Sequence, residues 1–208
     1  MAGKRKRLSG EARREELLDA ALAVAAGGDL VAVSVAEIAG HAGVSEGLLY
    51  HYWPNKQALV TAAVARAADD LLETLQEADA AGTPAERLDA AVDAYLAHVQ
   101  ARPTSWRALL AARSGDAGAI AGQVEQRSHE FILQTLGVHT ASPGVRVALA
   151  GWSAFERDAC MAWLDHQDLD SAQLKDLLFS TLIAALTAVA AHDDTARAAL
   201  ARLMEPKA

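Results

Sequence analysis

The sequence predicts an all-α protein, and three observations carry that expectation. Alanine, the best helix former, occurs 49 times in 208 residues, against 14 glycines and 5 prolines. Apolar residues recur at helical spacing in one segment after another, and no useful length of strand alternation occurs. Residues that cap helices, among them Ser34, Ser45, Asn55 and Thr83, stand where several of these segments begin. With 52% apolar and 22% charged residues the chain can bury a sizeable core, and its length suits one domain or a small domain joined to a larger one. No internal repeat is visible.

The first helix runs from Arg13 to Ala26, with Leu17, Leu18, Ala21, Val24 and Ala25 on its apolar positions and Gly27-Gly28 as the stop. Ser34-Val-Ala-Glu37 is a capping box that opens a second helix ending near Ala42. Gly43 permits a sharp turn, Ser45 can cap again, and a short third helix reaches Trp53 before Pro54 stops it. Asn55 caps a fourth helix from Lys56 to about Ala80, long enough to act as a connector. Thr83-Pro84-Ala85-Glu86 combines an N-cap, a proline at the first helical position and a glutamate at the third, and opens a helix that ends near Arg102-Pro103. Further helices are expected over 104–113, 117–136, 144–166, 171–191 and 194–204.

Charge and composition exclude several classes. The net charge is −8, but residues 1–56 hold seven basic and seven acidic side chains while residues 57–208 hold twelve and twenty. The acidity therefore belongs to the second part, and a locally basic surface near the N-terminus can still meet an anion, since exposed charges act over about 8–10 Å at physiological salt. The one cysteine, Cys160, cannot form an internal disulfide, and a reducing cytoplasm fits it. After Lys4-Arg5-Lys6-Arg7 the chain is polar, with no apolar segment of signal-peptide length. The stretch Leu174–Ala191 is apolar but falls just short of a usual membrane span and reads as a buried helix, so no membrane partner is expected.

Residues 34–56 concentrate the chemistry. Val35, Ile38, Ala39, Ala42, Val44, Leu48 and Leu49 would lock two short helices together around the glycine turn, the logic of a helix-turn-helix. The remainder of the third helix, Ser45, Glu46, Gly47, Tyr50 and His51, then projects outward and offers hydroxyl, imidazole and carboxylate groups to a groove. Lys56 stands at the start of the fourth helix, where free amides and the helix dipole already favour a phosphate.

The segment VAEIAGHAGVSEGLLYHYWPNKQAL resembles the DNA-binding region of the TetR family of bacterial transcriptional repressors, whose pattern it matches from Ile38 to Leu59. The resemblance covers about 50 residues once the first helix and Ser34 are included; further on, only length and helical content are similar. It implies that Ser34, Tyr50 and Lys56 hold phosphates, that Ser45, Glu46, Gly47, Leu48 and His51 face bases or backbone, and that Tyr52 adds a phosphate contact. Trp53 stands where phenylalanine is frequent and Gln57 where an acidic residue is common. Glu46 departs more seriously, because phosphates repel a carboxylate on the reading face unless it accepts from a cytosine amino group. The basic run Lys4, Arg5, Lys6 and Arg7 reads either as a solvated terminus or as an arm to phosphate or minor groove.

On this resemblance the chain divides into a helix-turn-helix DNA-binding domain over 1–58 and a helical regulatory and dimerisation domain over 59–208. One helix-turn-helix covers half of a usual site, so a homodimer on double-stranded palindromic operator DNA is expected. Its interface would lie on the C-terminal helices, about 144–191, where Leu174, Leu177, Leu178, Leu182, Ala185, Leu186 and Val189 leave apolar groups on more than one side. The family also implies a pocket for a small-molecule effector, and the aromatic enrichment at Tyr95, His98, Trp106, His129, Phe131, Trp152, Phe155, Glu156, Met161 and Trp163 marks its expected place; the same residues suit a core. Glu156 falls on an apolar stripe with Trp152, Phe155, Ala159, Cys160 and Trp163, and needs either an arginine such as Arg107, Arg113 or Arg157 or a cationic or hydrogen-bonding ligand. The arginine is the expected partner.

Other classes fit less well. Gly151-Trp-Ser153-Ala-Phe155 begins like a nucleophile elbow but lacks the final glycine and a preceding strand. Gly115, Gly118 and Gly122 do not have dinucleotide-site spacing. No histidine set marks a metal site, although ligands from separate helices could converge in a metal-responsive regulator. The expectation is a ligand-responsive repressor with no cofactor and no catalytic activity, with a metal-responsive regulator and then a helical enzyme as the alternatives.

Overall fold

A computed structural model describes residues 9–25, 30, 32–78 and 81–205. The basic run Lys4–Arg7 and the Gly27-Gly28 stop lie outside the described residues. Among these there are ten helices and no strand: α1 (Gly10–Val24), α2 (Val35–Ala42), α3 (Glu46–Tyr52), α4 (Lys56–Glu77), α5 (Pro84–Ala101), α6 (Pro103–Ala111), α7 (Gly115–Thr135), α8 (Pro143–His166), α9 (Ser171–Ala190) and α10 (Asp194–Leu203). Helix α1 begins three residues before its apolar periodicity does, because the Ser9 hydroxyl accepts from the Ala12 amide at 3.2 Å. A cap followed by a polar first turn is invisible to a search for apolar spacing.

The chain forms two compact units. The first comprises the described residues up to Asp70 together with Thr104–Ala121; the second comprises Leu71–Pro103 and the described residues from Gly122 onwards. The boundary expected after residue 58 falls in the first turn of α4, and both α4 and α7 begin in the first unit and continue into the second.

In the first unit α1 packs on α2 and α2 on α3. Leu17, Leu18, Ile38, Leu49, Leu59 and Trp106 are almost fully buried, a core that burial of each large apolar side chain stabilises by about 1.5–3 kcal/mol before entropy is counted. Arg66 on α4 reaches Glu15 on α1 at 2.8 Å and Asp70 one turn along at 2.9 Å. In the second unit α9 is central, packing on α8, α10 and α5. By length and a mean hydropathy of 1.4 this helix could cross a membrane, but its apolarity has a local cause: Leu174, Leu178, Leu182 and Leu186, spaced by four, are all buried. Its opposite side is open, with Leu177 exposed at 42%. Capping boxes at Thr83/Glu86 and Asp170/Gln173 fix the starts of α5 and α9, and Lys175 ties α9 to α5 through Asp89 at 3.1 Å and Asp93 at 3.0 Å.

Candidate functional site

The α2–α3 pair is built by contacts between near neighbours in the chain. The Ser34 hydroxyl accepts from the Glu37 amide at 3.1 Å, and both the Ser34 amide and its hydroxyl donate to the Glu37 carboxylate at 2.7 Å. These Ser34 donors, with the Lys56 ammonium acting at longer range, hold the Glu37 carboxyl below its ordinary range. Gly43 ends α2 in the left-handed region at φ 65°, and the Val44 amide turns back to the Ala39 carbonyl at 3.0 Å. Only glycine takes that backbone without strain. Val35, Ile38, Ala39, Leu49 and Trp53 are buried, and Ala42, Val44 and Leu48 are half-buried. The Arg14 guanidinium of α1 lies 5.5 Å from the ring centroid of Trp53, the buried tryptophan that replaces the more frequent phenylalanine.

This leaves one side of α3 open. Ser45, Glu46, Gly47, Tyr50 and His51 are exposed; Leu48, Tyr52 and Lys56 are half-buried. Ser45 occupies the cap position of α3 but makes no side-chain cap bond, which departs from the capping role its sequence position suggests. A Cβ added at Gly47 would meet only the Ser45 hydroxyl at 3.9 Å, so packing does not require a glycine there. His51 and Tyr52 stack edge to face, with centroids 5.4 Å apart. At the start of α4 the Asn55 side chain accepts from the Ala58 amide at 2.8 Å.

The second unit contains a cavity of about 530 Å3, bounded by Leu72, Leu75 and Gln76 of α4, Leu88, Ala91, Val92 and Tyr95 of α5, Arg127, Ser128, Glu130, Phe131, Ile132 and Gln134 of α7, Trp152, Ser153 and Glu156 of α8, and Leu178, Phe179 and Leu182 of α9. Of the residues singled out in the sequence, it brings together Tyr95, Phe131, Trp152 and Glu156. The others lie elsewhere. Trp106 is core of the first unit, His98 is buried with its Nδ1 3.1 Å from the Thr74 hydroxyl, Phe155 is exposed at 37%, and Trp163 is buried and donates to the Leu169 carbonyl at 2.8 Å. His129 and half-buried Met161 are absent from the wall, but His129 Nε2 is 2.7 Å from the hydroxyl of Ser153, which does line it. The wall residues missed in the sequence, Leu72, Leu75, Leu178, Phe179 and Leu182 among them, look like core at helical spacing; the length of α4 past Asp70 was the available signal.

Glu156 is held otherwise than the sequence suggests. Arg107 and Arg113 belong to the first unit, and Arg157 pairs with Asp158 at 3.6 Å. Burial pushes the Glu156 carboxyl up to about 7, opposed by a hydrogen bond from Tyr95, the nearby charge of Arg157 and the thiol of Cys160 at 3.9 Å. The hydrogen-bonding partners are thus a phenol and a thiol, and of the three expected arginines only Arg157 acts on Glu156, through its charge. Burial also lowers His129. A serine beside a neutral imidazole resembles part of an acyl-transfer site, but Ser153 lies mid-helix, where backbone amides are already bonded and supply no oxyanion donors. Among the described residues no three His, Cys, Asp or Glu side chains converge as metal ligands.

Comparison with known proteins accords with this architecture. The family model described as bacterial regulatory proteins, tetR family, matches residues 17–63, and the one described as the tetracyclin repressor-like C-terminal domain matches residues 84–186. The HTH-type transcriptional repressor KstR of Mycolicibacterium smegmatis is 34% identical over 114 residues, covering 54% of this chain and 56% of that protein. The HTH-type transcriptional regulator BetI of Rhizobium meliloti is 36% identical over 103 residues, 48% and 49% of the two chains. The chain thus spans about half the length of the curated relatives it matches. The crystal structure of a tetR-family transcriptional regulator from Streptomyces coelicolor superposes with a TM-score of 0.82 at 29% identity, covering 96% of this chain and 92% of that one. With both halves matched by models of one family and the α2–α3 pair built as its pattern requires, the chain belongs to the TetR family of bacterial regulatory proteins.

Proposed function

We propose that the protein is a transcriptional regulator that binds operator DNA as a homodimer and is released by a small-molecule effector held in the second unit. The observation that carries this reading is the open side of α3, where Ser45, Glu46, Gly47, Tyr50 and His51 stand together in solvent while the opposite side is locked into the first unit. Gly47 supports it further: a glycine costs a helix about 1 kcal/mol relative to alanine, and here no packing demand offsets that cost, whereas close approach of a duplex would. Ser34 would donate to a phosphate only by turning its hydroxyl or its amide away from the Glu37 carboxylate, to which both donate here. Tyr50, Tyr52 and Lys56 add phosphate contacts, Leu48 packs on the sugar edge, Glu46 accepts from a cytosine amino group, and the run Lys4–Arg7 adds an arm.

Dimerisation through α8 and α9 is supported by what those helices leave uncovered. Val147 is exposed at 74% and Phe155 at 37%, with Gly151 between them on the same side of α8 and nothing within 4 Å of a Cβ placed on it. Leu177, Ala184 and Ala188 are exposed on α9. Small residues among apolar ones allow two helix pairs to approach closely across a two-fold axis. An effector acts only if it prefers one of two arrangements of the reading heads, and α4 and α7, shared by both units, are the segments through which such a preference would pass.

The test is duplex binding by fluorescence anisotropy, using DNA from beside the protein's own gene. Tyr50→Ala and Lys56→Ala should each weaken binding by about tenfold at physiological salt with mass and helicity unchanged, and Lys56→Ala should flatten the log–log salt dependence by about one unit. Unchanged affinity at low salt for both variants would defeat the assignment of this surface.

A further inference from the structure

The cavity of the second unit is biased in charge. Two carboxylates, Glu130 and Glu156, line it with one arginine, Arg127. Glu130 and Arg127 are exposed on α7, whereas Glu156 faces inward beneath Tyr95 from α5, with Glu125 of α7 adding repulsion and Arg157 and Cys160 its neighbours on α8. Its hydrogen-bonding partners, a phenol and a thiol, are neutral and the charge of Arg157 offsets burial only in part, so ionising this carboxyl in the apolar wall stays costly and a positive group placed beside it would lower the cost. Four aromatic side chains, Tyr95, Phe131, Trp152 and Phe179, line the same space. Ring faces attract cations within about 6 Å, and one already does so here: the Arg87 guanidinium lies 5.8 Å from the Phe131 centroid.

We propose that the cavity receives an amphiphilic cation, with its apolar chain against Leu72, Leu75 and Leu178 and its positive nitrogen beside Glu156. The ligand class rests on the reading of this cavity as the effector site. Seating the cation ionises Glu156, and the proton passes to solvent. Since burial holds the carboxyl near pH 7, about half a proton leaves per ligand bound at that pH, and affinity for a non-titrating cation rises from pH 6 to pH 8.

Titration calorimetry on the full chain with three matched probes, decyltrimethylammonium, decanol and decanoate, each below its micellar concentration, tests this. The cation should bind at least tenfold more tightly than the other two, and its heat at pH 7 should differ between phosphate and Tris buffers as proton release requires. Glu156→Gln should lose about tenfold in affinity for the cation and abolish the buffer difference while binding decanol as before. Decanol or decanoate binding as tightly as the cation overturns the proposal, as does unchanged affinity for the cation in folded Glu156→Gln or no binding by any probe. Should that variant not fold, the ranking of probes and the buffer dependence of the unmodified chain decide the matter. Adding the cation to the chain bound to duplex separates the two readings: release of DNA supports both, and binding at Glu156 without release leaves the cation site standing but overturns the effector role.

Discussion

In residues 34–59 the capping and turn hydrogen bonds act between near neighbours in the chain, whereas the cavity draws its wall from five helices separated by up to 110 residues, from Leu72 to Leu182. The capping box closes over three residues and the Gly43 turn over five. The hydrogen bond between Tyr95 and Glu156 spans two helices whose sequences say nothing about each other. The first region shows its purpose residue by residue. The second acquires one only when the bundle has formed, and its residues resemble ordinary core until then.

The sharpest way to break this contrast is at Gly43, where local geometry carries the whole reading surface. Gly43→Val forces a β-branched residue to φ 65° and should cost about 2–3 kcal/mol, seen as a lower denaturation midpoint together with loss of duplex binding; a variant that still binds normally would show that the turn is not the lock. Gly47→Ala should do the reverse, leaving the melting temperature level or raised while weakening duplex binding by about tenfold, or 1.4 kcal/mol. The two serines at cap positions sharpen the comparison within the segment. Ser34→Ala should cost about 1 kcal/mol because its hydroxyl closes the capping box, and Ser45→Ala should cost little because its hydroxyl caps nothing. Equal losses in paired urea titrations would contradict that assignment.

The smallest effect belongs to the cavity and depends on pH. Between the ordinary carboxyl value of 4.5 and the raised value of about 7, the folded chain keeps on Glu156 a proton that the unfolded chain has lost. Stability therefore falls as pH rises through that window and levels off above it. Glu156→Gln removes the slope, so melting curves of the two proteins should nearly coincide around pH 5, with the variant higher by a few degrees at pH 8. A constant difference at both pH values would place the carboxyl in water.

These differences explain what could be read in advance. The starts of α2, α4 and α5 were legible because Ser34, Asn55 and Thr83 act on amides three residues away. The start of α1 at Ser9 was not, because a polar first turn hides a cap from apolar periodicity. Trp106 looked like a pocket residue and is core of the other unit, since an aromatic side chain carries no sign of which bundle will bury it. Leu72, Leu75 and Phe179 line the cavity without having been singled out in the sequence, for the same reason. For Glu156 the sequence showed a carboxylate in need of a partner, but a tyrosine 61 positions earlier could be chosen over a nearby arginine only by the packing of α5 on α8.

Cys160 gives this architecture a built-in reporter. The chain's single thiol is fully buried, and burial together with the adjacent Glu156 pushes its ionisation far above the ordinary thiol range, so in the closed bundle it is inert to alkylating reagents. Its rate of modification therefore times the opening of the second unit, with no label to engineer, and any occupant that tightens the bundle around α8 would slow that clock.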